Sequence, residues 1–318
     1  MMFRPRDLDR LRAVADVLGP FEPAEILSPA RPLSTATAII TGWGSPRFTD
    51  SLLAATPNLK LLAHSAGSVK NLVDESTFTR GIRTTNAAAA NAVPVAHYTV
   101  AMMVALLKQI PWLIREMTLG KTREQMDQHV PHIRELQDIT VGLIGASRIG
   151  REVIRLLHAY PNVQIKLYDP FVTPAAAADL GVQLSSLEET CRCEVVSLHA
   201  PKVPATYHMM NAQTMSLLPD HAVLINTSRG ALIDESALIA EVRRRPLYVL
   251  LDVTDPEPPP ADSPLRREPN ILLTPHIAGA MNQARFSMGE LAIDEVLRFL
   301  NGQQLQHEVT LEMLPTQA

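Results

Sequence analysis

The sequence predicts an α/β protein: a parallel sheet covered by helices on both faces, accompanied by a second, smaller α/β unit. Three observations carry that expectation. From Thr140 onward, apolar runs of strand length alternate with helical segments. Near the middle, "VGLIGASRIG" (Val141 to Gly150) has the glycine spacing of a tight strand-to-helix turn. The first hundred residues repeat the strand theme more weakly.

Taken in order, "MMFRPRDLDRLRAVADVL" alternates charged and apolar residues at helical spacing and lacks the uninterrupted apolar core of a signal peptide, so the protein is expected in the cytoplasm. Strands follow at "TAIITGW", "LKLLAHSAG" and "IRTTNA", separated by polar, turn-rich stretches. The apolar segment from Val93 to Ile114 contains His97, Lys108 and Pro111. It falls short of about 18 uninterrupted apolar residues, which makes it a core helix and not a membrane span. The next strands are "TVGLIGA", "VQIKLYDP", "CEVVSLHAP", "HAVLINTS", "LYVLLDV" and "NILLTPH", with helices from Arg148, near Ala175, near Met215 and from Glu235. One further amphipathic helix, from Asn282 to Leu300, precedes a polar tail, and "EPPPADSP" around Pro260 is a proline-rich loop.

A chain of 318 residues with 46% hydrophobic content can bury a large core, and its length suggests two domains. The net charge of −4, without runs of like charge, argues against a nucleic-acid partner. The two cysteines, Cys191 and Cys193, are too close in sequence for an ordinary disulfide and have no companion ligands for zinc. They read as packing residues in a reducing compartment, and no metal is expected.

In a G-x-G-x-x-G turn the first glycine makes the tight turn, the second lets a pyrophosphate approach the backbone, and the third packs helix on sheet. Here those places hold Gly145, Ser147 and Gly150. Serine is small, its hydroxyl can donate to a phosphate oxygen, and the helix N-terminus still offers N–H groups and a positive dipole end. Arg148 adds charge next to it. Asp169 then stands at the end of the following strand, where an acidic residue binds ribose hydroxyls and repels a 2′-phosphate. NAD is therefore the expected cofactor.

Three later stretches end on the same rim of the sheet: "INTSRG" with Arg229, "LDVTDPEP" with Asp252 and Glu257, and "LLTPHIAG" with His276. Reducing a 2-keto acid needs a cation for the carboxylate, an acid for the carbonyl oxygen, and a group that keeps the acid charged and aimed. Arg229, His276 and Glu257 fit those roles. Singly, each has a plainer reading: Arg229 pairing with Asp234, Glu257 a solvated charge, His276 a strand cap. Their shared placement at strand ends of one sheet is what argues for a common centre.

With "TVGLIGASRIGREV", "YDP", "SLHAP", "LINTSRGALIDESAL", "LDVTDPEP" and "LLTPHIAGA" in order, the chain resembles the NAD-dependent D-isomer-specific 2-hydroxyacid dehydrogenases over nearly its whole length. The resemblance implies two Rossmann-like doubly wound domains, the cofactor domain (98–281) inserted into the substrate domain (1–97 and 282–318), with a closing cleft. It also implies a homodimer, a catalytic set of Arg229, Glu257 and His276, and cofactor contacts from Arg148, Ile149, Asp169, His199, Pro201, Thr227 and Asp252, the last near the nicotinamide carboxamide. Backbone N–H groups around Gly67 and Ser68, in "HSAGSVK", would receive the substrate carboxylate. Trp43 is a candidate for the pocket mouth, with a buried tryptophan at a strand end as the alternative. Departures from the family pattern are Ser147, His97 for glutamate, Lys70 for aspartate, Thr254 for an aromatic, and Met281 for serine or threonine. The expected activity is hydride transfer between NAD(H) and a small 2-keto or D-2-hydroxy acid, of the glyoxylate or hydroxypyruvate class. The rivals are a formate- or phosphite-type dehydrogenase and an NAD-sensing corepressor-like protein.

Overall fold

The computed structural model describes residues 2–22 and 33–316. The chain divides into two units, residues 1–92 with 280–318, and residues 93–279. Along the chain the elements are α1 (Pro5–Arg12), β1 (Ala38–Thr41), α2 (Asp50–Ala55), β2 (Leu61–His64), α3 (Glu75–Thr79), β3 (Arg83–Asn86), α4 (Ala88–Leu107), α5 (Ile110–Thr118) and α6 (Arg123–Met126). There follow β4 (Thr140–Ile144), α7 (Arg148–Leu157), β5 (Gln164–Tyr168), α8 (Pro174–Asp179), β6 (Gln183–Leu184), α9 (Leu187–Cys191), β7 (Val195–Leu198), α10 (Ala212–Met215) and β8 (Val223–Asn226). The last are α11 (Glu235–Arg244), β9 (Tyr248–Leu251), β10 (Ile271–Leu273), α12 (Gln283–Leu300) and β11 (Glu308–Val309).

In the larger unit seven strands form one sheet in the order β10-β9-β8-β7-β4-β5-β6, every pair parallel. Their side chains alternate between two buried cores. Val141 and Leu143 of β4, Val195 of β7, Val223 and Ile225 of β8 and Leu250 of β9 face one core, with Val100 and Met103 of α4 and Val153 and Leu157 of α7. Ile144, Val196, Leu198, Leu224, Val249 and Leu251 face the other, with Met215 of α10 and Leu238 of α11. Burial on both faces is why these strands read as continuous apolar runs and not as alternating ones. Cys191 and Cys193 belong to the second core as free thiols, and burial pushes the Cys191 thiol up to about 12.

The chain order reverses between β4 and β7, so their carboxyl ends form the crevice in which open α/β sheets bind ligands. The expected helix over Val93–Ile114 is two helices. α4 ends at Leu107, Gln109 takes a left-handed φ of 51°, and Pro111 opens α5 within its first turn. α4 has the length and mean hydropathy (1.5) to cross a membrane, but 44% of that stretch is buried within the fold.

The smaller unit has parallel strands β1, β2 and β3, closed on one edge by antiparallel β11. Leu62 faces a core with Leu52, Leu53 and Val73; Leu61 and Ala63 face Ala292, Ile293 and Val296 of α12 and Leu11 of α1. Stretches read as turn-rich contain α2 and α3. The tail read as polar contains β11, because Glu308 pairs bidentately with Arg83 at 2.7 and 2.6 Å and buried Glu295 accepts from Gln306 N and His307 N at 3.0 and 3.1 Å.

Candidate active site

Gly145, after β4, has φ of +100°, and a Cβ there would lie 2.8 Å from Ala200 N. A Cβ at Gly150 would lie 2.2 Å from the Gly145 carbonyl oxygen. Both glycines are thus demanded by close backbone approach. The middle place is different. Ser147 sits at φ −59°, ψ 177°, which any residue adopts, and its Oγ caps α7 by accepting from Gly150 N at 3.3 Å. The hydroxyl proton remains for an acceptor outside the chain. Arg151 N bonds to the Ser147 carbonyl at 2.9 Å, which leaves the N–H groups of Arg148 and Ile149 as first-turn donors without an intrahelical partner.

Asp169, after β5, turns toward this same loop: Oδ2 accepts from Ala146 N at 2.7 Å and Oδ1 from Phe171 N at 2.9 Å. His199, after β7, has no hydrogen-bond partner for either ring nitrogen among the described residues. Burial pushes it down to about 3, so the ring is neutral. Pro201 follows, its carbonyl accepting from Thr206 Oγ1 at 2.6 Å. Thr227, after β8, is buried with Oγ1 3.2 Å from Thr99 Oγ1 of α4. Turn, helix start, aspartate and an orphaned buried imidazole therefore line one crevice, and they fit a dinucleotide.

One strand farther on, Asp252 follows β9, 1% exposed. Its Oδ1 accepts from Thr274 Oγ1 at 2.6 Å and Ile277 N at 2.8 Å; its Oδ2 accepts from Ala278 N at 2.9 Å. Those bonds hold the loop after β10 in which His276 stands at φ 53°. His276 Nδ1 lies 2.5 Å from Glu257 Oε1, with both side chains half-exposed. Burial lowers the Arg229 guanidinium from its ordinary value, and the Glu257 carboxylate acts in the opposite direction. The same carboxylate thus touches the imidazole directly and acts on the guanidinium through its charge.

Residues 100–278, more than half of the chain, match the NAD-binding domain of the D-isomer specific 2-hydroxyacid dehydrogenases. The chain belongs to this family. It is 29% identical to a D-3-phosphoglycerate dehydrogenase of Methanocaldococcus jannaschii over 85% of its own length and 51% of the relative's. It is 29% identical to a glyoxylate reductase of Korarchaeum cryptofilum over 78% and 75% of the two chains. The crystal structure of TT0316 protein from Thermus thermophilus superposes with a TM-score of 0.76 at 31% identity, covering 97% of each chain. The chain spans about half the length of the curated D-3-phosphoglycerate dehydrogenases that it matches.

Among the residues of this family member, sequence reasoning overlooked the ones that shape the loops. Buried Asn226 donates to the Arg229 carbonyl at 2.9 Å and accepts from Ser228 N at 3.0 Å. Ser228 Oγ reaches the Leu198 carbonyl at 2.5 Å. A Cβ at Gly230 would fall 2.0 Å from the Thr254 carbonyl carbon, so the "SRG" turn packs directly on the Glu257 loop. That loop is tied at Asp255 N to Glu235 at 3.0 Å. Asn, Ser and Gly are turn residues by type, but the partners of Ser228 and Gly230, Leu198 and Thr254, are distant in sequence. Asp234 caps α11 through Ser236 N and Ala237 N and does not pair with Arg229.

In the smaller unit, Gly67 and Ser68 lie after β2; Ser68 Oγ accepts from Lys70 N at 3.3 Å. Trp43 is 56% exposed, which corrects the buried alternative, and Arg285 lies 5.8 Å over its ring. Of the other departures, His97 is exposed on α4 and Lys70 Nζ donates to the Pro315 carbonyl at 3.1 Å. Thr254 Oγ1 donates to the Pro256 carbonyl at 2.8 Å, and Met281 Sδ lies 3.9 Å from Arg285.

Neutral burial of His199 links stability to pH. The unfolded imidazole, near pKa 6.5, takes a proton that the folded ring, at about 3, refuses. Its contribution is complete above pH 6.5 and lost as pH falls through that value toward 3, by about 1.4 kcal/mol per pH unit in mid-window. His64, pushed down to about 4 by burial, adds to the same fall. Urea midpoints of the cofactor-free protein at pH 7.5 and 5.0 should therefore differ. His199→Gln should reduce the difference, and an unaltered difference would show that His199 does not carry its share.

Proposed function

We propose that this chain catalyses NAD-dependent interconversion of a small 2-keto acid and the corresponding D-2-hydroxy acid. The observation that carries the reading is the 2.5 Å contact between His276 Nδ1 and Glu257, on the rim that also holds the glycine turn. With Nδ1 held by a carboxylate, Nε2 is the ring atom left to give a proton to the C2 oxygen in reduction and to take it in oxidation. Arg229 supplies the planar fork for the substrate carboxylate. In the smaller unit, taken by itself, the N–H groups of Gly67 and Ser68 are our candidates for binding a carboxylate. A Cβ at residue 67 would meet nothing within 4 Å, so packing does not call for the glycine. The nicotinamide, when bound, gives or accepts the hydride at C4.

The same contact argues against formate as substrate. Removing hydride from formate leaves carbon dioxide and no proton to place, so an aimed imidazole would have no task. A screen of glyoxylate, hydroxypyruvate and larger 2-keto acids with NADH and with NADPH, beside formate and phosphite with NAD, tests this. NADH formation from formate alone, or bound NADH without any turnover, would overturn the reading. His276→Ala should lower kcat by about 10²-fold or more with NADH affinity kept. Loss of NADH binding instead would remove His276 from the proton-transfer role.

Asp169 closes the end of β5 with a negative charge beside the helix start, the reason to expect NAD in preference to NADP. Asp169→Ala should narrow the ratio of kcat/KM for NADH over NADPH, and an unaltered ratio would take Asp169 out of the ribose site.

We also infer that two copies pair through the α5 and α6 region. Ile114, Met117 and Val130 are 60%, 64% and 52% exposed there and line an apolar groove of about 550 Å³ with Leu113, Met126 and Ile133. Sedimentation equilibrium should find a dimer that Met117→Glu converts to monomer. A monomeric wild-type protein would refute the pairing.

A further inference from the structure

Helix α4 reaches the rim of the larger sheet with two consecutive hydroxyls. Thr99 Oγ1 lies 3.2 Å from Thr227 Oγ1, two residues before Arg229, and Tyr98 Oη lies 2.9 Å from Thr274 Oγ1, two residues before His276. The second contact has a fixed direction. Thr274 has a single hydroxyl proton, committed to Asp252 Oδ1 at 2.6 Å. The phenol is therefore the donor and Thr274 the acceptor.

We propose that Tyr98 is a positioning residue for the reaction: through Thr274 and Asp252 it holds the turn that presents His276 to the substrate. The inference rests on the reading of His276 as the proton donor. The turn needs holding, because His276 at φ 53° occupies a region that side-chain-bearing residues avoid. Four of its ties are main-chain N–H groups. Thr274 N bonds to the Leu251 carbonyl and His276 N to the Asp252 carbonyl, each at 3.0 Å, Ile277 N to Oδ1 at 2.8 Å and Ala278 N to Oδ2 at 2.9 Å. The fifth is the Thr274 hydroxyl, which can rotate about its own C–O bond and so can point elsewhere.

Donation from Tyr98 occupies one lone pair of the Thr274 oxygen, so its proton has fewer directions to take, and the one toward Asp252 meets an acceptor. Burial, with the Asp252 charge added, outweighs the bond to Thr274 and pushes the phenol's pKa up from its ordinary value, so Tyr98 remains a donor at neutral pH. Its helix is anchored by Ala96, Val100 and Met103 in the core beneath, so the donor sits on a rigid element.

Tyr98→Phe removes the hydroxyl and keeps the ring. We expect kcat for keto-acid reduction to fall about 5- to 10-fold, with KM for NADH and the thermal midpoint little altered. Amide exchange in the peptide spanning 274–278 should quicken. Since the influence passes through Thr274, adding Tyr98→Phe to Thr274→Val should cause no further loss, whereas Thr274→Ser should retain the wild-type rate. Wild-type kcat in Tyr98→Phe, or a loss that multiplies with that of Thr274→Val, overturns the proposal. Failure of the underlying reading looks different. If His276→Ala keeps its turnover, the role in the reaction falls, while exchange in Tyr98→Phe still reports whether the phenol holds the turn.

Discussion

The site in the larger unit hangs on one buried carboxylate. Asp252 is 1% exposed and accepts from a hydroxyl and two main-chain N–H groups of the loop after β10. A charge so placed is tolerated because its oxygens are hydrogen-bonded, and bonds of this kind contribute about 1.5–3 kcal/mol each. The neighbouring strands β9 and β10 are thereby locked at their carboxyl ends, where His276 has to stand. Glu257, carried on the loop between the same two strands, then meets the imidazole at 2.5 Å. Arg229 arrives from β8 on a turn shaped by Asn226 and by the absence of a side chain at Gly230.

The imperfect glycine pattern shows how a motif relates to the backbone that it describes. Gly145 and Gly150 are required by contacts of their own backbone with the protein, whereas the conformation at residue 147 suits any residue. A glycine there would leave room for a ligand, and a serine uses part of that room to cap α7. The turn keeps its shape because the two glycines that set it are present.

Much of this was legible in the residues themselves. The strands from Thr140 onward announced themselves because both of their faces are buried, and the alternation of strand and helix then placed Asp169, Arg229, Asp252 and His276 on one rim. What escaped was short or non-local. β6 and β11 have two residues each, too few for any periodicity. Gln109, the break between α4 and α5, is a non-glycine residue in a left-handed conformation; Pro111 two positions on marks a helix boundary, but nothing local marks the left-handed turn itself. Tyr98, Thr274 and Glu235 act through partners 20 to 176 positions away, and hydrogen bonds of that range leave no trace in spacing.

The edge strand β11 has a consequence for how the molecule is made. All seven strands of the larger sheet come from one uninterrupted stretch, so that sheet can assemble as soon as residues up to β10 have left the ribosome. The smaller sheet is begun first and finished last: β1 to β3 emerge early, but α12 and β11, which cover one face and close one edge, lie more than 190 residues later. Until then Leu61 and Ala63 lack the part of their cover that α12 supplies and β3 presents an open edge, a nascent surface of the kind that chaperones protect.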